Sequence, residues 1–395
     1  MLMSEQEKVV TASERAGRFE RQRPGDYLAF IPAPLPPPDL RIEASLQALL
    51  SDADVAVGRL DGAVRLVPDP ELFVFMYVRR EAVLSSQIEG TQASLMDVLE
   101  YEAELERSER RVDVIEVSNY VAAMNRGLTR LTDLPISRRL LCEIHAVLMK
   151  DVRGGEPDKT PGEFRRSQNW IGGASPATAR FVPPPWEAAA DSFADLERFL
   201  HDPKPMPPLI RIGLAHAQFE TIHPFLDGNG RIGRLLITLW LVERGILHHP
   251  LLYPSVFLKE HRDEYIDRLQ AIRDKGAWED WLAFFVDGIG QVAREATDRA
   301  LDIVNLRDEH RDLISARLGR RVPNALALLD QLFRQPVVTA RTVEALTDVS
   351  QPTASALVRD LEGLGILREL TGQRRNRLFA YTRYLDLFPG VEDRG

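Results

Sequence analysis

The run His223-Pro224-Phe225-Leu226-Asp227-Gly228-Asn229-Gly230-Arg231-Ile232-Gly233-Arg234 lies between two stretches of helical apolar spacing. Leu209, Ile210, Leu214, Ala217 and Phe219 precede it; Ile232, Leu235, Leu236, Leu239, Trp240 and Val242 continue through and beyond it. The spacing predicts a loop joining two helices. Gly228-Asn229-Gly230 falls where the second helix begins, so unpaired backbone N–H groups and the positive dipole end face the loop and suit an anion. Arg231 and Arg234, three apart on the first turn, add guanidinium forks for phosphate. Asp227 is a hard oxygen ligand of the kind that holds Mg²⁺ together with substrate phosphates. His223 can take a proton near neutral pH. Phe225, a phenyl ring in a polar loop, is expected to anchor it in the core. Each residue alone has an ordinary explanation, as a histidine beside proline, a glycine turn or solvated arginines. Their coincidence in one short run points to nucleotide phosphate chemistry.

The run resembles the Fic family motif, His-x-Phe-x-Asp/Glu-Gly-Asn-Gly-Arg-x-x-Arg, at every fixed position. The resemblance implies transfer of AMP from ATP to a Tyr, Ser or Thr hydroxyl of a target protein. It implies that His223 deprotonates that hydroxyl and that Asp227 holds Mg²⁺. Gly228, Asn229 and Gly230 would form the anion hole, and Arg231 and Arg234 would bind the phosphate tail. The residues alone leave open which phosphorus is attacked.

Ser85-Ser86-Gln87-Ile88-Glu89-Gly90, after the apolar stretch Leu72 to Leu84, reads by itself as a helix ending at Gly90. Beside a Fic motif, Ser85, Glu89 and Gly90 resemble the family's inhibitory helix, whose glutamate pairs with the last arginine of the loop, here Arg234. The implied outcome is inhibition in cis by Glu89. Gly172-Gly173 is a turn signal between short extended runs in the segment Gly162 to Pro185. Ile171, Gly172 and Gly173 resemble the family's flap, which lays the target across the site as an added strand. Tyr265 and Leu269, four apart in His261 to Leu269, read most simply as core. In family terms that helix borders the nucleobase, and Tyr265 becomes a candidate for the adenine pocket.

The 395 residues carry a net charge of −9, which argues against a surface built throughout for nucleic acid. The single cysteine, Cys142, excludes an intrachain disulfide and is expected to be buried. The polar start Met-Leu-Met-Ser-Glu-Gln-Glu-Lys resembles no signal peptide, and no run of about 18 apolar residues could span a bilayer. A soluble, cytoplasmic protein without membrane partners is therefore expected.

The expected fold class is mainly α: a Fic-type helical core with a small β-hairpin flap, plus a C-terminal winged helix-turn-helix domain. The expected divisions are a polar, proline-rich arm over 1–40, packed as an extended segment, and an N-terminal helical region with the inhibitory helix over 41–130. The catalytic core and following helices would occupy 131–310, and the winged helix 311–395. In that last region helices are predicted over Val322 to Phe333, Thr339 to Leu346 and Gln351 to Leu364. Strands are predicted at Gly365 to Leu367 and Arg377 to Tyr381, around an arginine-rich tip. From Arg320 to Arg383 there are ten arginines and no lysine against six carboxylates, a local net of +4. The domain either reads DNA, with Gln351, Thr353, Ser355 and Arg359 in the groove and Arg374, Arg375 and Arg377 on phosphates, or docks protein and forms a homodimer. Alternatives for the whole chain are a nucleotide-sensing transcriptional regulator, or the same core running de-AMPylation or transfer of UMP, phosphocholine or phosphate.

Overall fold

The computed structural model describes residues 14–23, 25–65, 70–103, 111–373 and 377–388. Strands β1 (Gly17–Gln22) and β2 (Tyr27–Pro32) come first, followed by α1 (Ala44–Arg65), α2 (Glu71–Ile88), α3 (Leu95–Glu102) and α4 (Arg111–Arg130). Next are α5 (Arg138–Leu148), α6 (Trp186–Leu200), α7 (Pro208–Ile222), α8 (Asn229–Glu243), α9 (Ser255–Glu260), α10 (Arg262–Lys275) and α11 (Trp278–Arg317). The chain continues with α12 (Val322–Leu332), β3 (Val337–Val338), α13 (Ala340–Thr347) and α14 (Gln351–Gly363). It closes with β4 (Arg368–Glu369), β5 (Phe379–Ala380) and α15 (Thr382–Leu385). The class is mainly α with small antiparallel sheets, as expected.

Two compact units result. One comprises the chain up to Val55, Ala122–Gly245 and Phe257–Gly290; the other comprises Ala56–Val121, Ile246–Val256 and Gln291 onward. The chain passes between the units within α1, α4, α9 and α11 and after Gly245.

In the first unit, α7 and α8 are enclosed on nearly every side rather than along one stripe. That burial is compatible with polar side chains where they find backbone partners, as three of them do. Arg211 Nη1 donates to Phe199 O at 2.6 Å, Gln218 Nε2 to Ala33 O at 2.8 Å and Thr221 Oγ1 to Ala217 O at 2.9 Å. The proline-rich arm is more ordered than expected. Its residues 17–22 and 27–32 form an antiparallel hairpin, with Phe19 opposite Phe30 and their rings edge-on at 5.1 Å. Strand pairing is available because Pro24, the one proline before Pro32, falls between the two strands in sequence and not within either, and Gly25 and Asp26 turn the chain with φ of 118° and 47°. Residues 1–13 lie outside the described residues. Cys142, expected buried, is only partly so, since the buried stripe of α5 is Leu140, Leu141, Ile144, His145 and Leu148.

In the second unit, α2 ends at Ile88, with Glu89 as its C-cap and Gly90 at φ 100°. Its buried Glu81 accepts from Ser255 Oγ at 2.5 Å, Ser255 N at 3.2 Å and Tyr120 Oη at 3.2 Å. The last region forms a three-stranded antiparallel sheet in the order β3-β5-β4 beside α12, α13 and α14. The expected strand at Gly365 to Leu367 is displaced to Arg368–Glu369. Ile366 and Leu367 N–H both bond to Leu361 O, closing the end of α14, and are lost to any ladder. Among the described residues, no helix is long and apolar enough to cross a membrane.

Candidate active site

Helix α7 stops at His223, whose backbone adopts φ 49°, ψ 60°. This left-handed conformation is unfavourable for a residue with a Cβ by about 1–2 kcal/mol and must be held from outside. Two side chains from the segment before α6 hold it. Arg165 Nε donates to His223 O at 2.9 Å, its backbone N–H to Pro224 O at 2.9 Å, and its Nη2 to Pro184 O at 2.6 Å and Ile222 O at 3.4 Å. Its Nη1 donates to Ser167 O at 3.2 Å. Asn169 Nδ2 donates to His223 O at 3.2 Å and to Phe225 O at 2.8 Å. Burial lowers the Arg165 guanidinium to about 10, leaving it charged at neutral pH.

Phe225 is fully buried, as expected. It stacks on His145 at 3.9 Å between centroids with planes 6° apart, and meets Phe164 edge-on at 5.2 Å. His145 Nδ1 accepts from Gly162 N at 2.8 Å, which assigns the ring proton to Nε2, the donor to Asp227 O at 3.1 Å. Burial is the main cause that lowers His145 to about 4. His145 thus fixes the peptide that carries the proposed metal ligand while remaining neutral.

Asn229 is 1% exposed, and its amide closes the loop onto Phe225. Gly228 precedes α8 at φ 74°, and no side chain caps the helix. The N–H groups of the first turn, which have no carbonyl a turn earlier, are therefore presented to the loop. The φ of 74° favours glycine at 228, and a Cβ there would also lie 2.8 Å from Met149 Sδ. Arg231 and Arg234 are 4% and 1% exposed. Arg231 Nη2 lies 3.5 Å from Met149 Sδ and 3.6 Å from Asp227 Oδ1. Asp227 has a half-exposed carboxylate whose Oδ1 accepts from Gly228 N at 2.6 Å.

The ring of His223 is largely enclosed, with Nδ1 3.4 Å from Glu220 O and 3.9 Å from Glu220 Oε2. These acceptors favour the proton on Nδ1 and leave Nε2 as the basic nitrogen. Arg273 Nη2 donates to the same Glu220 carbonyl at 3.4 Å and its Nε to Thr221 Oγ1 at 3.3 Å, while its guanidinium stacks on Phe181 at 3.7 Å.

Phe181 belongs to the expected flap. Paired extended runs are absent there; the pairing is reduced to one bridge, Ile171 to Phe181, with N–H···O distances of 2.9 and 3.1 Å. Gly172 and Gly173 have φ of 69° and 79° and are exposed, and a Cβ at Gly173 would fall 2.3 Å from Thr178 O. Tyr265 lies in the core, 4% exposed, and its hydroxyl donates to His216 Nε2 at 2.9 Å. His216 Nδ1 donates to Gly233 O at 3.0 Å, so Tyr265 braces the N-terminal part of α8 through His216.

In the other unit, Ser85 and Ser86 are fully buried and Glu89 is exposed at the end of α2. The sequence reading assigned no role to Arg165, Asn169, His145, Met149, Glu220, His216 or Arg273. Only Gly162-Glu163-Phe164-Arg165, inside a segment already singled out, offered a signal.

Residues 47–129 match the Fic/DOC family N-terminal domain and residues 135–241 the Fic/DOC family domain. A probable protein adenylyltransferase of Aquifex aeolicus is 28% identical over 200 residues, covering 51% of this chain and 56% of that protein. The protein adenylyltransferase Fic of Culex quinquefasciatus is 32% identical over 200 residues, covering 48% of this chain and 33% of that protein. The match thus spans little more than half of the first relative and a third of the second. The crystal structure of a Fic family protein from Desulfovibrio desulfuricans G20 superposes with a TM-score of 0.56 at 18% identity, over 87% of this chain and 98% of that one. That likeness shows the fold.

Proposed function

We propose that this chain, a member of the Fic/DOC family, transfers AMP from ATP to a Tyr, Ser or Thr hydroxyl of a target protein. The observation that carries the reading is the uncapped start of α8, presented beside His223, Asp227 and the buried Arg231 and Arg234. His223 Nε2 takes the proton of the incoming hydroxyl, whose oxygen bonds to the α-phosphorus as the α–β bridge breaks and pyrophosphate leaves. The α8 N–H groups and both arginines neutralise phosphate charge, the dominant requirement of such transfers. Residues Ile171 to Gly173 would orient the target by main-chain pairing.

Asp227 fits a shared Mg²⁺. It is one half-exposed carboxylate, and among the described residues no cluster of three His, Cys, Asp or Glu forms a metal cage. Magnesium commonly binds in this way, through few protein oxygens plus phosphates. The ion would supply charge neutralisation to the phosphate tail. Glu89 would restrain the reaction in cis by taking Arg234 from the γ-phosphate, a reading supported by the resemblance of Ser85, Glu89 and Gly90 to the family's inhibitory helix.

The C-terminal helices and sheet are read as a winged helix that docks protein. Arg321 and Arg377 are paired to Asp360 at 2.7 Å and Glu362 at 3.1 Å, and Arg383 to Glu309, outside the counted segment, at 2.5 Å, so the cations are spread among ion pairs and not gathered on one face. Arg374 and Arg375 lie outside the described residues. A duplex affinity that falls steeply with salt would restore the DNA reading.

The test is covalent transfer of label from α-³²P ATP to protein, expected with the wild type and abolished by His223→Ala. Labelling that persists in His223→Ala overturns the assignment.

A further inference from the structure

Arg80 of α2 is 5% exposed, and its Nε and Nη1 are enclosed without a hydrogen-bond partner. Arg299 of α11, in the same unit, also has an enclosed, unpartnered Nε. Arg80 lies 4.9 Å over the Tyr253 ring and Arg299 5.8 Å over Phe388, and Tyr77 packs 5.2 Å from Tyr253 and 5.7 Å from Phe388. Two guanidinium groups thus share one aromatic floor. Ring contacts offset only part of the desolvation penalty of a buried ion.

The nearby carboxylates do not close this gap. Glu81, next to Arg80 in sequence, is already used by Ser255 and Tyr120. Glu295 acts on Arg80 only after the opposing influences of burial and Arg299, and is exposed. Among the described residues, an acceptor carrying at least one negative charge is what the pair lacks.

We infer that Arg80 and Arg299 form a second anion site, separate from the α8 loop, that takes a phosphate group. Two cations match a dianion, and planar guanidinium forks match its several oxygens. Arg299 is only partly buried and gives the ligand its way in. The occupied site would tie α2 to α11, and Arg80 lies on the same helix that ends at Glu89.

Calorimetric titration of inorganic phosphate into the full chain, at constant ionic strength set by chloride, tests the site. Wild type is expected to bind, Arg80→Met to bind about tenfold more weakly or worse, and Arg231→Gln, which disarms the loop, to retain the Arg80-dependent binding. With its unpaired charge removed, Arg80→Met should melt in chloride at or above the wild-type temperature. AMP as titrant separates the sources: binding tighter than phosphate and lost in Arg80→Met assigns a nucleotide, whereas equal or weaker binding assigns the free anion. The inference fails if wild type binds no phosphate, if binding is unchanged in Arg80→Met, or if it is lost only in Arg231→Gln. It fails equally if Arg80→Met melts well below wild type in chloride, because the guanidinium would then be satisfied within the fold.

Discussion

Asn229 and Phe225 bond to each other twice: Phe225 N–H donates to Asn229 Oδ1, and Asn229 Nδ2 donates to Phe225 O, both at 2.8 Å. The amide is spent on shape, so the proposed contribution of Asn229 to phosphate binding would come through its backbone. Asn229→Ala leaves the buried Phe225 N–H unpaired and should destabilise the fold by about 2–4 kcal/mol. A denaturant midpoint that does not move would contradict the clamp.

Arg165 gathers carbonyls from both stems of the flap and from the loop that carries His223. Arg165→Lys cannot reproduce that fork. Transfer should slow by about ten- to a hundredfold, as expected for a displaced base, with ATP affinity nearly preserved. Equal losses in affinity and rate would show that the residue serves the nucleotide instead.

Glu89 is an exposed C-cap at φ −85°, a position that glycine tolerates. Glu89→Gly should therefore fold normally and raise automodification about tenfold or more, the effect of freeing one charged contact. Equal rates in variant and wild type would remove the inhibitory role.

Gly154 has φ 79°, and a Cβ there would lie 2.2 Å from Asp227 Oδ2. Gly154→Ala should push the carboxylate aside and raise the magnesium concentration needed for half-maximal transfer. An unchanged metal requirement would argue that Asp227 does not hold the ion.

His145 and His216 are both lowered to about 4, chiefly by burial. Between that value and the unfolded value near 6.5 the unfolded chain binds protons that the native state does not. Stability is thus complete above about pH 6.5 and declines as pH falls toward 4, by up to about 3 kcal/mol for each group. His216→Gln should flatten the decline of melting temperature over that window.

What the sequence revealed of this site was contiguous. His223, Phe225, Asp227 and the glycine turn stand in one run, and the flanking apolar spacing located both helices that hold them. What it concealed approaches from elsewhere: Arg165 and Asn169 bond to carbonyls 54 to 58 residues away, and His145 to one 82 residues away. Backbone acceptors carry no residue identity, so no motif announces such contacts. Tyr265 shows the converse. Its helical spacing correctly put it on a buried face, but only the partner on α7, His216, shows that its hydroxyl faces the core.

Ser85 and Ser86 are fully enclosed one turn before the end of α2, while Glu89 and Gly90 emerge into solvent. A kinase could reach neither hydroxyl without first unwinding that turn. Were Glu89 to restrain the reaction as proposed, relief would be expected from a binding event at the exposed tip of the helix, and a phosphate written onto the serine pair would be a mark of prior unfolding.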